Sequence, residues 1–293
     1  MAIENCDSPI LEGGREDQIH IKDSFPIACY HDDLMRDSVP WHWHDELEFL
    51  IVTEGTIFAA EEQDQAIVPT GCGFFVNAGR MHSMWNAGNG PCRLHSMVFS
   101  TRLLGSADEI YFSKYLGPII GNPSLRSLKL EPDIPWKKDM LDAIERAWEL
   151  CRDETEGYEW GVRNALSDAF LQLWKHMPAG QAEDRMAEMR RKRIKIMIQY
   201  LEQNFEKQIT LMDIASSASI SESEAERCFA SIVRTTPIQF LKDYRLSRAA
   251  EYLKNSRDSI TEVAAMCGFS DTSYFIRAFR KKYGCTPGQW RSG

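Results

Sequence analysis

The densest chemistry in the chain is the run Trp41-His42-Trp43-His44-Asp45-Glu46-Leu47-Glu48. Positions 42, 44 and 48 share parity, so on an extended strand His42, His44 and Glu48 would project from one face. Glu46 has the same parity and would add a polar contact. A second segment, Gly71-Cys-Gly-Phe-Phe-Val-Asn-Ala-Gly79-Arg-Met-His82-Ser-Met-Trp-Asn86, contributes another imidazole from His82. Groups of these types, gathered in a pocket, can hydrogen-bond a polar small molecule while Trp41, Trp43 or Trp85 stacks on a sugar ring. Arg80 and His95 are candidates for the pocket's mouth or interior.

A pocket of this kind needs a rigid frame. The first 130 residues alternate short apolar runs with Gly, Pro and Asn, as in Leu47 to Val52, Gly73 to Val76 and Leu94 to Phe99. Runs of that length predict a small antiparallel barrel or sandwich. The two segments resemble the two signature motifs of the cupin barrel. The first is complete, HxHxxxE with Gly55 after six further residues, whereas the second has Asn77 where the cupin pattern has proline. In metal-binding cupins the ligands would be the residues matching His42, His44, Glu48 and His82. Three imidazoles and a carboxylate with open positions suit Zn, Mn, Fe or Ni. In sensor barrels of cupin type without metal, the same residues would hydrogen-bond an organic effector.

From Pro135 the texture turns helical. Met140, Ile144, Ala147, Trp148 and Cys151 recur at helical spacing, as do Val162, Ala165, Leu166, Ala169, Phe170 and Leu173. Gly157 between them predicts a hairpin, whose apolar surface from Met140 to Trp174 would dock on the barrel or pair with a second subunit. The expected fold is α+β and multidomain: a cupin-like effector barrel over 1–130, the hairpin over 131–178, a linker over 179–189 and an all-α region over 190–293. Charge follows the same division. Residues 190–293 hold 18 basic against 11 acidic residues, while the rest hold 16 against 32, so one end suits a polyanion. The eight cysteines form no CxxC pair, and no apolar run approaches the roughly 20 residues of a bilayer span. No secretory signal precedes residue 16, which predicts a cytoplasmic protein with reduced thiols.

Within the basic end, residues 209–237 and 259–287 repeat each other at an offset of 49 to 50. Thr210-Leu-Met-Asp-Ile-Ala215 aligns with Ser259-Ile-Thr-Glu-Val-Ala264, each a hydroxyl cap with an acid three positions on. Ser221-Glu-Ser-Glu aligns with Ser270-Asp-Thr-Ser, a second cap opening a second helix. Arg227-Cys-Phe229 aligns with Arg277-Ala-Phe279, and Pro237 with Pro287. Two short helices around a tight turn make a helix-turn-helix, whose second helix fits the major groove. Gly268 suits a left-handed turn position, and Phe269 would plug the angle between the helices. Arg234 and Thr235 stand where the second copy has Gly284, so the first copy's helix is not expected to end left-handed.

On Ile260-Thr-Glu-Val-Ala-Ala-Met-Cys-Gly-Phe-Ser-Asp-Thr-Ser-Tyr-Phe-Ile-Arg-Ala-Phe-Arg-Lys-Lys-Tyr-Gly-Cys-Thr-Pro-Gly-Gln-Trp-Arg291, with Tyr244 to Ala250 upstream, the chain resembles the AraC/XylS family of regulators. The resemblance implies double-stranded DNA as partner, a small-molecule effector, a homodimer and contact with RNA polymerase. Candidate DNA contacts are Ser221, Glu222, Ser223 and Arg227 in the first copy. In the second they are Ser270, Asp271, Thr272, Ser273, Arg277, Arg280 and Lys281. Tyr274, Phe275, Phe279 and Tyr283 are expected in the core. Glu222, Glu224 and Glu226 predict that the first copy reads less DNA or reads it differently. The leading reading is a transcription regulator gated by an effector, a sugar for example, or by a metal. Its rivals are a metal-dependent cupin enzyme with secondary DNA binding, and a constitutive DNA-binding protein.

Overall fold

The computed structural model describes residues 10–11, 15–16, 24–35, 38–62, 64–106, 108–178 and 185–292. They divide into two compact units, broadly either side of Arg185. Strands β1 (Ile10–Leu11) and β2 (Arg15–Glu16) form a small ribbon apart from the main sheets. The first unit holds the two sheets. Strands β3 (Ile27–Asp33), β5 (Leu47–Glu54), β8 (Gly73–Val76), β10 (Arg93–Phe99) and β11 (Ser127–Leu130) make a five-stranded antiparallel sheet in the order β11-β8-β5-β10-β3. Strands β4 (Ser38–His42), β6 (Thr56–Glu61), β7 (Asp64–Pro69) and β9 (His82–Asn86) make a four-stranded one in the order β4-β9-β6-β7.

The two sheets share a core in which Leu50, Val52, Phe74, Val76 and Leu94 meet Ile57, Ala59, Val68 and Met84. The four-stranded sheet has one dry face and alternates accordingly, with Ile57 and Ala59 inward and Phe58 outward. The five-stranded sheet is covered on both faces. Its outer residues Leu47, Phe49, Ile51, Phe75, Met97 and Phe99 pack under α2 (Pro135–Asp153) and α3 (Tyr158–His176). That double burial is why β5 reads as an unbroken apolar run. A short α1 (Gly117–Ile120) lies between β10 and β11. Asn77 ties this connection down: its amide donates to the carbonyls of Ile119 and Leu125 at 2.9 and 2.8 Å. A proline there would lose both bonds.

Gly157, at φ 81°, opens α3 as the turn of the hairpin. The apolar stripe of both helices, Met140, Ile144, Ala147, Trp148, Val162, Leu166 and Phe170 among it, is used against the barrel. It is therefore not the subunit surface that the pattern also allowed. On α3, Trp160 and Leu171 remain exposed.

The second unit is helical. It comprises α4 (Arg185–Asn204), α5 (Leu211–Ser217), α6 (Glu222–Ile232), α7 (Pro237–Asn255), α8 (Ile260–Met266), α9 (Thr272–Tyr283) and α10 (Pro287–Ser292). Part of the stretch read as linker is thus already helix; residues 179–184 lie outside the described residues. Both capping boxes form, Thr210 with Asp213 and Ser259 with Glu262. Ser221 caps α6, but α9 is capped by Asp271 rather than Ser270. One Asp271 carboxylate oxygen accepts from two backbone N–H groups, of Ser273 and Tyr274, and its negative charge suits the helix N-terminus. The second turn is accordingly one residue longer.

Both turns need a left-handed residue, Ser219 at φ 54° and Gly268 at φ 75°. Both recognition helices also end left-handed, at Arg234 (φ 53°) and Gly284 (φ 75°). This corrects the expectation for Arg234: packing of the repeat imposes the bend, and the first copy carries the strain of two side chains that the second avoids. Gly268 has a further reason to lack a side chain. A Cβ there would meet the Phe205 carbonyl at 2.4 Å and Arg245 Nε at 2.8 Å.

Gly268→Ala should destabilise the second unit by at least about 2 kcal/mol, through strain and this clash, whereas Ser219→Gly should stabilise it by about 0.5–1 kcal/mol. Urea unfolding of the full chain, followed through the helical signal, checks both signs; a neutral Gly268→Ala would contradict the close approach.

Candidate functional site

The tryptophan-histidine run is not one strand. His42 ends β4 in the four-stranded sheet, His44 lies in the connection, and Glu48 sits in β5 of the five-stranded sheet. His82 opens β9, directly opposite His42. The four side chains nevertheless converge. Each is at most 5 % exposed, and one ligand atom from each lies within 4.8 Å of all the others.

The backbone sets the tautomer of all three rings. The Nδ1 atoms of His42, His44 and His82 lie 2.9, 3.1 and 2.9 Å from the carbonyls of Pro40, Glu46 and Arg80. A carbonyl only accepts, so Nδ1 carries the hydrogen of each neutral ring, and Nε2 is left as a lone pair. His44 Nε2 is 3.3 Å and His82 Nε2 2.8 Å from the same Glu48 oxygen, and His82 Nε2 makes no hydrogen bond. Two lone pairs facing a carboxylate repel unless a proton or a cation lies among them. Burial, with the neighbouring His82 and His44, holds His42 well below the usual imidazole range. Burial alone would raise Glu48, yet the adjacent His82 and His44 keep it well below the carboxylate range. A neutral imidazole bonded to a carbonyl through its other nitrogen is the arrangement metal sites use to orient a ligand. The residues fit a divalent cation.

Beside them lies a carboxylate that no motif in the sequence marks. Glu61 is opposite His82 across β6 and β9 and shares the inward parity of Ile57 and Ala59. It is fully buried, and neither of its oxygens has a hydrogen-bond partner among the described residues. Burial, and then the Glu62 carboxylate, push its pKa to about 8 against the pull of Arg126 and Arg80. Arg80, buried at 9 %, is thus an interior residue. His95 is not: it faces the hairpin, stacked on Trp148 at 3.5 Å and bonded to Glu145 at 2.9 Å. The aromatic pocket wall is corrected at one position: Trp85 projects from the outer face of the four-stranded sheet against Phe58. Trp41 is half-buried on β4, where the pairing with β9 shifts between Val39 and His42. Trp43 and Glu46 are half-buried in the connection around His44, where the Glu46 carbonyl fixes the His44 ring.

In the second unit, Ser221 and Asp271 cap the recognition helices, with Ser270 in the turn before Asp271. Glu222, Ser223, Arg227, Ser273, Arg277, Arg280 and Lys281 are exposed on α6 and α9, and Thr272 is half-exposed. Glu224 turns back to Arg193 and Arg227 at 3.3 and 3.2 Å, a structural role. Phe275 and Phe279 are core and Tyr283 packs against them, but Tyr274 is 45 % exposed, because its position in the helix faces away from α7. Ile276 is exposed as well: only its place relative to Phe275 and Phe279 reveals it, and an isoleucine on its own reads as core.

Among known proteins, residues 24–191 match the AraC-like ligand binding domain and residues 214–293 a helix-turn-helix domain. An uncharacterized HTH-type transcriptional regulator of Bacillus subtilis, YdeC, is 30% identical over 268 residues, 89% of this chain and 90% of that protein. The HTH-type transcriptional activator RhaR of Mannheimia succiniciproducens is 23% identical over 253 residues, 86% of this chain and 87% of its own. Of solved structures, ToxT from Vibrio cholerae O395 aligns over 91% of this chain and 97% of its own, at 10% identity and a TM-score of 0.48.

Glu61 gives a pH signature. Its folded pKa of about 8 exceeds the ordinary 4.5, so the neutral form stabilises the fold fully below pH 4.5, and this contribution is lost as pH rises through 8. Glu61→Gln has nothing to lose. Its melting temperature should therefore gain on the wild type between pH 5 and pH 9; an advantage independent of pH would mean that Glu61 is not buried as an acid.

Proposed function

The chain belongs to the AraC family of transcription regulators, and we propose that it reads an operator under the control of a small molecule received at a divalent metal in the barrel. The carrying observation for regulation is that a ligand-binding domain and a helix-turn-helix domain of this family together account for most of the chain. The surface of α9 agrees with it. Arg277 is exposed near the middle of α9 and Arg280 and Lys281 in its last turn, cations of the kind that meet phosphates and base edges.

For the metal, the supporting observation is the set of three imidazoles whose Nδ1 atoms are spoken for and whose remaining lone pairs gather on Glu48. His42, His44, Glu48 and His82 would hold Zn, Mn, Fe or Ni, which would supply a Lewis-acidic point for an effector oxygen. A hydroxyl-rich effector, sugars included, would also offer hydrogen-bond donors to Glu61. Differential affinity of that ligand for two states of the barrel is what would bias DNA binding. A homodimer through the Trp160 and Leu171 side of α3 belongs to this reading. So does contact with RNA polymerase. A cytoplasmic location goes with reading chromosomal DNA.

Elemental analysis of purified protein should find about one such metal per chain, and His82→Ala should reduce it to a trace while the fold is retained. Absence of stoichiometric metal after reconstitution with each of the four ions would remove the metal from this reading. Fluorescence anisotropy with duplexes from upstream of its own gene should show binding that weakens steeply with salt. The double substitution Arg280→Ala, Lys281→Ala should lower the slope of log K against log salt by about 1 for each phosphate that is no longer neutralised. An unchanged slope would put these side chains away from DNA.

A further inference from the structure

The two recognition helices superpose residue for residue at an offset of 50: the caps Ser221 and Asp271, the core positions Ala225 and Phe275, then Phe229 and Phe279. The buried residues fix which way each helix turns. Exposed in both copies are the pairs Ser223 and Ser273, Glu226 and Ile276, Arg227 and Arg277, and Ala230 and Arg280, whereas Tyr274, Lys281 and Lys282 are exposed in the second copy alone. Serine matches serine and arginine matches arginine. At the position just before the shared arginine, one helix presents a carboxylate and the other a hydrocarbon. Glu226 has no partner within the described residues, unlike Glu224, which is held by Arg193 and Arg227. Ile276 is 36 % exposed although apolar. Neither side chain is occupied by the fold.

A carboxylate in the major groove can only accept. The donors there are the amino groups of cytosine and adenine, and the adenine amine is flanked by the N7 acceptor, which repels a carboxylate. Cytosine N4 has a carbon on that side. An exposed isoleucine finds its complement in the one apolar group of the groove, the thymine methyl. We infer that Glu226 reads a cytosine and Ile276 a thymine at equivalent places in two successive grooves. The two bases would then stand about 10 base pairs apart. Ser223 with Arg227, and Ser273 with Arg277, supply the part common to both. This inference rests on the DNA-reading function proposed above.

The test is selection from a randomised duplex library with the full-length protein at one fixed salt concentration. Wild type, Glu226→Ile, Ile276→Glu and the double swap are run side by side. Wild type should enrich cytosine at one position and thymine at another about one helical turn away, each preferred about tenfold. Glu226→Ile should convert the cytosine preference to thymine and leave the other half-site alone. The double swap should exchange the two. Both positions are exposed, so melting temperatures should stay within a degree or two of wild type. Glu226→Ile, which removes a negative charge near phosphate, keeps its affinity and decides the question if Ile276→Glu binds poorly. Identical enrichment by wild type and Glu226→Ile would overturn the inference while leaving DNA reading intact. Failure of every duplex to bind would remove both.

Discussion

The spacing of the two DNA-reading units depends on one crowded point. There Arg245, on the connecting helix α7, donates from Nε to the Phe205 carbonyl at 2.7 Å and from Nη2 to the Lys207 carbonyl at 2.6 Å. This satisfies carbonyls left over beyond the end of α4. The turn of the second helix-turn-helix passes over the same guanidinium at Gly268, with no room even for a methyl group. The chain just beyond α4, the connecting helix α7 and the turn of the second helix-turn-helix are thus held within van der Waals distance of one another. Helices α6 and α9 inherit a fixed relation from it. Charge and cap chemistry on those helices would mean little if each unit swung freely, because two recognition helices gain from acting together only when their separation matches a turn of DNA.

In the barrel the corresponding constraint is backbone hydrogen bonding. Three histidines each give Nδ1–H to a carbonyl two residues away, so the orientation of every ring follows from the local chain path. Two of the rings stand on the four-stranded sheet while their carboxylate stands on the five-stranded one. The cluster therefore spans the interior, and a cation held by it would join the two sheets. Glu61 adds a charge that the interior cannot solvate, next to Glu62 and within the field of Arg80 and Arg126. Unsatisfied acids of this kind are costly, and they concentrate where a ligand is to be met.

Much of this is legible in the sequence. A hydroxyl followed three residues later by an acid locates α5, α6 and α8, a local signal that needs no tertiary information, and the repeat then places α9. The convergence of His42, His44, Glu48 and His82 is legible too, but not through parity along one strand. That rule does not apply, because the chain leaves one sheet after His42 and joins the other at Leu47. What stays hidden depends on the third dimension. Asp271 stands as the cap in place of Ser270 because the turn before α9 is one residue longer, and its negative charge suits the helix N-terminus. Tyr274 and Ile276 are exposed because of where Phe275 and Phe279 must point. Arg234 bends left-handed because its counterpart Gly284 shows what the repeat demands. Trp85 faces outward against Phe58, and residue spacing alone does not say which side of β9 is dry.

Strand β5 places Glu48 and Phe49 in adjacent positions on opposite faces. Glu48 points inward to the histidines, and Phe49 points outward into rings from Phe75, Phe99 and Phe170, the last of them on α3. The pleat makes the two inseparable, like the two ends of a short lever whose pivot is a single peptide plane. A small adjustment of the carboxylate arrives among close-packed aromatic rings, which have no slack to absorb it. The helical hairpin is thus in mechanical register with the barrel's interior without touching it.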